Sequence, residues 1–202
     1  MEHKVGTFLQ YRVFSTKFTE FLDALGRGGY FDNFGIIRDI IQNHLIQVLS
    51  LLTMEAPVRI DGKGAGKHIR DAKVALLKAI IPPSPDDCLL GQYRGYLDDE
   101  TISNKQSTCP TFAVIIMSIN NPRWAGVPIV LKAGKALDER KAEITVQFKK
   151  PPAGAFLFGH EKGPLHNELV IRLQPNEAIY LKTNVKSPGF DSRPIQSGEC
   201  SV

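Results

Sequence analysis

The spacing of apolar residues changes period once along this chain, and that change limits the fold more than any single motif. Between residues 28 and 81 the period is helical. Ile36, Ile37, Ile40, Ile41, Leu45, Val48, Leu49 and Leu52 form a broad apolar stripe. A core helix is expected there, from an N-cap at Asp32 or Asn33 to Glu55, with Pro57 as its stop. A charged, glycine-rich connector over 58–67 leads to a second, shorter helix over 68–81. On it Ile69, Val74, Leu77 and Ile80 repeat at helical spacing before Pro82, Pro83 and Pro85 end it. Beyond this the pattern is extended: 111–119, 127–132, 142–148, 168–173 and 178–185 alternate or are rich in β-branched residues, and 88–93 is a further candidate strand. Helices first, then strands with no helices between them, specify an α+β fold with a largely antiparallel sheet. Residues 1–26 carry Phe8, Tyr11, Phe14, Phe18, Phe21, Leu22 and Leu25 at spacings of three and four, which predicts an amphipathic helix.

At 202 residues, 43% of them hydrophobic, the chain is long enough to bury a full core without disulfides or metal. Its longest apolar run, 40–54, is interrupted by Gln42, Asn43, His44 and Gln47, which excludes a membrane span. Cys88, Cys109 and Cys200 lie far apart and form no CxxC pair, so a reducing compartment fits and a zinc site does not. No secretory leader pattern is present, and the cytoplasm is the expected location. A net charge of +4 is too mild and too dispersed to argue for nucleic acid, and the aromatic residues are not interleaved with the cations.

Two glycine-rich stretches resemble nucleotide loops at first sight. Gly62, Gly64, Gly66 and Lys67 have three residues where a phosphate loop needs four, and His68 where it needs Ser or Thr. Gly26, Gly28 and Gly29 do not make the GxGxxG fingerprint. His160 and His166 have no helix or cysteine beside them and read as loop residues rather than metal ligands.

What remains is a histidine on the long helix and a basic turn. Lys132, Lys135, Arg140 and Lys141 stand within ten residues around Gly134, a pattern that suits a phosphate through charge-assisted hydrogen bonds; a solvated strand surface is the plainer alternative. His44 sits among Ile40, Leu45 and Val48, where spacing alone favours a satisfied, partly buried histidine. Asp39 is five residues earlier, about 140° around an α-helix, so the two would line a cleft from two sides rather than stack.

Five longer stretches carry a resemblance: RGGYFDNFGIIRDIIQNHL at 27–45, LGQYRGYLDD at 90–99, TFA at 111–113, RWAGVPIVLKAGKALDERKAEITVQF at 123–148 and NELVIRLQPNEAIYLK at 167–182. In this order they resemble the C-terminal domain of the glucose-6-phosphate dehydrogenase family, over residues 27–189. The resemblance implies oxidation of glucose 6-phosphate to the 6-phosphoglucono-lactone with NADP, the first step of the pentose phosphate pathway. It assigns His44 as the general base toward the sugar C1 hydroxyl, a step suited to imidazole because its pKa lies near neutrality. It also assigns Asp39, Lys135, Arg140 and Gln174 to the substrate. Some members hold a second, structural NADP against the sheet, which would fall on Lys132, Lys141, Arg172, Tyr180 and Lys182. Lys132 and Thr145 stand where relatives carry arginine, and a plain basic sheet surface is an equal alternative there.

The same resemblance implies what is missing. The family's dinucleotide-binding domain and its RIDHYLGK stretch are absent from this sequence. The chain is therefore expected to be truncated and inactive alone, with a non-matching lead over 1–26, the family domain over 27–189 and a tail over 190–202. Its expected partners are glucose 6-phosphate and full-length subunits, in a homo- or hetero-oligomer. A non-catalytic module that joins such subunits through the sheet is the second reading.

Overall fold

The computed structural model describes residues 11–19, 26–150, 166–186 and 194–201. The chain divides into two compact units, Thr16–Lys141 and Ala142–Val202 with Met1–Ser15. Strand β1 (Tyr11–Thr19) spans the division. It lies where an amphipathic helix was expected; its Tyr, Val, Phe and Thr content favours extended backbone, and that preference wins over a spacing that both periods partly satisfy. The expected helix residues at 1–10 and 20–25 lie outside the described residues.

In the first unit the expected long helix is three pieces. Helix α1 (Gly28–Ile36) starts four residues ahead of the expected cap and is interrupted at Gly35, whose φ of 67° and ψ of 167° are reserved for glycine. A π-helix (Ile37–Leu45) follows, and α2 (Ile46–Thr53) completes the run. Its end is held by the Trp124 indole N–H, which donates to the Thr53 carbonyl at 2.9 Å, and by a bidentate pair between Arg123 and Glu55. Helix α3 (Ala65–Ala79) starts three residues early and ends two early, because Ile80 and Ile81 turn extended.

Those two residues are strand β2, which pairs with β4 (Phe112–Ile119); β3 (Cys88–Gly91) pairs with β4 as well, and β4 with β5 (Ile129–Gly134), all antiparallel. Alternation along β4 and β5 buries Ala113, Ile115, Met117 and Ile119 together with Ile129, Leu131 and Ala133. The helical run buries Ile36, Ile40, Ile41, Leu45 and Leu49, and β5 packs against the π-helix.

The second unit is an antiparallel ladder of β6 (Lys141–Phe148), β7 (Glu168–Gln174), β8 (Ala178–Lys186) and β9 (Pro194–Ser201). The segment read as a tail thus contributes a strand, because Ile195 and its neighbours find the free edge of β8. The α+β expectation and the antiparallel sheet hold. Among the described residues, no helix is long and apolar enough to cross a membrane.

Candidate functional site

The π-helix carries both residues singled out on the helical run. Its hydrogen bonds close from i to i+5, so a residue and the one five ahead stand one above the other, much as i and i+4 do in an α-helix. Asp39 and His44 are five apart. The separation of about 140° expected from an α-helix is therefore corrected: the wider winding brings carboxylate and imidazole to one face. Ile40, Ile41 and Leu45 take the buried face, Asp39 is half-buried, and His44 is exposed. The histidine is not the partly buried residue that spacing alone favoured.

The basic turn begins where β5 ends. Gly134 is buried, and a Cβ there would meet the Leu137 side chain at 2.7 Å and that of Phe112 at 2.8 Å. The turn can close this tightly only without a side chain at 134. Ala136 completes it at a φ of 53°. Lys135 follows directly. Its backbone N–H donates to the Thr111 carbonyl at 3.0 Å, and its ammonium stands 5.1 Å from the centre of the Phe31 ring on α1. Lys135 is half-buried, while Arg140 is exposed further along the turn. Through Phe31 and through the packing of β5 on the π-helix, the fold ties the lysine turn to the helical run that bears Asp39 and His44.

Lys132, two residues before Gly134, lies 5.5 Å from the Phe112 ring centre, and Lys141 opens β6, half-buried. Gln174, at the end of β7, is exposed and belongs to the second unit. So do Arg172, Tyr180 and Lys182. Arg172 donates to the Tyr180 hydroxyl at 3.0 Å and faces Glu143 at 3.6 Å; the Tyr180 contact first, and the Glu143 charge with it, raise the guanidinium pKa further. Lys182 reaches Glu168, its cross-strand partner, at 3.4 Å. His166 holds the Phe148 carbonyl at 2.8 Å through Nδ1, a loop role as expected, and His160 lies outside the described residues.

Four contributors were not legible in the sequence as site residues. Phe31 lies under Lys135, Gly35 opens the π-helix, and Pro110 and Thr111 supply carbonyls to Ile36 and Lys135. TFA at 111–113 was the visible signal, but nothing in it shows that its first carbonyl faces another loop.

Fold and candidate site together define an α+β domain that presents an imidazole, a carboxylate and a lysine turn around one helical run. The chain belongs to the glucose-6-phosphate dehydrogenase family: residues 14–199 match the family model described as Glucose-6-phosphate dehydrogenase, C-terminal domain. It is 54% identical over 180 residues to the Arabidopsis thaliana protein named Glucose-6-phosphate 1-dehydrogenase 6, cytoplasmic, an alignment covering 89% of this chain and 33% of that one. To the Saccharomyces cerevisiae Glucose-6-phosphate 1-dehydrogenase it is 50% identical over 183 residues, covering 87% and 34%. A solved structure titled Glucose-6-phosphate dehydrogenase in complex with its substrate glucose-6-phosphate superposes with a TM-score of 0.81 at 50% identity, covering 95% of this chain and 39% of that one. The Mycobacterium avium Glucose-6-phosphate 1-dehydrogenase structure gives the same TM-score at 32% identity, covering 95% and 40%. The chain spans about a third of the length of the curated relatives it matches.

Proposed function

We propose that this chain supplies the sugar-phosphate half of a cytoplasmic, NADP-dependent glucose-6-phosphate 1-dehydrogenase. The observation that carries the reading is the π-helical face on which exposed His44 and half-buried Asp39 stand together, on a run tied to Lys135 through Phe31. In this reading Asp39 accepts a hydrogen bond from a sugar hydroxyl and fixes the ring. Lys135 and Arg140 meet the phosphate, where paired positive charge is favoured by charge-assisted hydrogen bonds. His44 takes the C1 hydroxyl proton and returns it to solvent, and exposure of the ring gives it the path to do so; a nicotinamide held outside the described residues would supply the hydride acceptor. Gln174 is assigned to the substrate by the family resemblance.

The described residues do not fit the reacting dinucleotide. Gly62, Gly64 and Gly66 precede α3 but follow no strand, so the strand, glycine turn and helix that cradle a pyrophosphate are not assembled there. The chain alone is therefore expected to bind glucose 6-phosphate without turning it over. Isothermal titration of the purified chain should show glucose 6-phosphate binding that Lys135→Met weakens about tenfold or more. No binding, or NADPH formed from glucose 6-phosphate and NADP by the chain alone, would refute the reading.

For a second, structural NADP, the residues at hand are Lys132 and Lys141 in one unit and Arg172, Tyr180 and Lys182 in the other. Arg172 and Lys182 already have protein partners in Tyr180, Glu143 and Glu168, which supports a plain basic sheet surface.

The second reading, a module that joins full-length subunits, is favoured by the exposure of Leu173, Ile179 and Val185 on β7 and β8. Coexpression with a full-length subunit followed by size-exclusion chromatography separates the two readings; failure to co-elute removes the second.

A further inference from the structure

Residues 107–111 run from the loop after Asp99 into β4, and they are gripped from several sides. Ser107 Oγ donates to Asp32 Oδ1 on α1, the same oxygen that accepts the Tyr96 hydroxyl at 3.1 Å. The Ser107 hydroxyl also accepts the Cys109 N–H at 3.2 Å. The Gln92 amide donates to the carbonyls of Ser107 and Cys109, at 3.0 and 2.9 Å. Thr111 is fully buried; its N–H donates to the Gly91 carbonyl and its hydroxyl accepts the Tyr93 N–H, both at 2.9 Å.

Two carbonyls of this segment face the candidate site from neighbouring residues. The Pro110 carbonyl accepts the N–H of Ile36, the residue before the π-helix, at 3.0 Å. The Thr111 carbonyl accepts the N–H of Lys135, also at 3.0 Å. At Gly35 a Cβ would stand 3.3 Å from Cys109 Sγ and 3.5 Å from the Pro110 ring, so the kink that frees Ile36 for this bond is itself packed against the segment. The start of the π-helix and the start of the lysine turn are thus hung from adjacent peptide groups.

We propose that residues 107–111, held down by Asp32, set the position of the π-helix relative to the lysine turn, with Asp32 as a positioning residue that touches no substrate. The proposal rests on the reading of that site as a sugar-phosphate site. An isolated packing role would let the two ends move independently; a shared anchor makes them move together.

The test uses the whole 202-residue chain and two readouts. Asp32→Ala removes the acceptor for Ser107 and Tyr96, while Asp32→Asn keeps an oxygen in its place. Asp32→Ala is expected to lower amide hydrogen-exchange protection at Ile36 and Lys135 together by about tenfold or more, with the amide of Leu131 in mid-β5 little changed. Glucose 6-phosphate affinity should fall about tenfold or more in the same variant and return to within about threefold of the original in Asp32→Asn. Ser107→Ala removes one donor and carries the same comparison if Asp32→Ala does not fold. Unchanged protection at Lys135, or lost protection with unchanged affinity, would overturn the proposal. If the unsubstituted chain binds no glucose 6-phosphate, the sugar-phosphate reading falls, and the paired amides then decide the positioning role alone.

Discussion

The clasp around α1 and the β6–β8 ladder hold their residues by different means. Around α1 each contact is single and specific. Asp99 accepts the Gly26 N–H at 3.1 Å, Thr101 Oγ1 accepts the Gly29 N–H at 3.0 Å, and Gly28 and Gly29 lie so close to residues 99–102 that no side chain fits. In the ladder the contacts repeat across strands: Glu168 with Lys182 and Gln147, Glu143 with Arg172, Asn167 with Asn184. A repeating ladder has its backbone bonds made whatever the side chains do, so it absorbs substitutions; a clasp of one-off contacts does not. The proposed substrate helix is in the clasped unit, where position matters most.

The comparison can be broken most severely from the core behind the clasp. Leu49 on α2 is fully buried, and Leu49→Ala should cost about 2–5 kcal/mol, read from the urea midpoint. Gly29→Ala places a Cβ 2.5 Å from the Thr101 backbone oxygen, which cannot swing away, and a loss of about 1–3 kcal/mol is expected in thermal unfolding. Acid sharpens the contrast next. Hydrogen bonds from Thr101, then those from Gly26 and Gly28, hold the Asp99 carboxyl below its ordinary value. Its contribution is full above the ordinary aspartate range and is lost as pH falls through and below that range, because the unfolded chain binds the proton more readily. Asp99→Asn should therefore flatten the acid limb of a stability–pH curve; an unchanged limb would show that the clasp does not depend on this charge. The smallest effect belongs to the ladder. Lys182→Met breaks a partly exposed pair and should shift stability by no more than about 1 kcal/mol.

Burial also separates two chemistries within the clasp. Tyr96 is nearly inaccessible, and burial, with the neighbouring Cys109 and Asp32, keeps its hydroxyl protonated well above the usual tyrosine range. Burial likewise raises the Cys109 thiol pKa. Cys109 should react slowly with iodoacetamide in the folded chain and readily once unfolded.

Much of this architecture was legible because it depends on period. The alternation over 111–119 and 142–148 has little else to become, and the apolar stripe from Ile36 to Leu52 demands a helical core element. The strand at Tyr11–Thr19 was misread because aromatic spacing of three and four also fits a half-extended pattern, and β-propensity decided between them. The strand at Pro194–Ser201 was missed because Ser, Gly and Glu carry no strand signal; pairing with β8 supplies the order. Asp39 and His44 were placed on one element by sequence and on one face only by the π-helical winding.

The sequence by itself settled the helical core run, the alternating strands over 111–119 and 142–148, the family, and the residue types of the candidate site, since these follow from local period and from motifs that survive in linear order. Tertiary structure alone decided that Gly35 breaks the helix, that Phe31 lies beneath Lys135, and that Pro110 and Thr111 carry both halves of the candidate site. Those are contacts between residues dozens of positions apart, and a backbone carbonyl looks the same in every sequence until the fold gives it a partner.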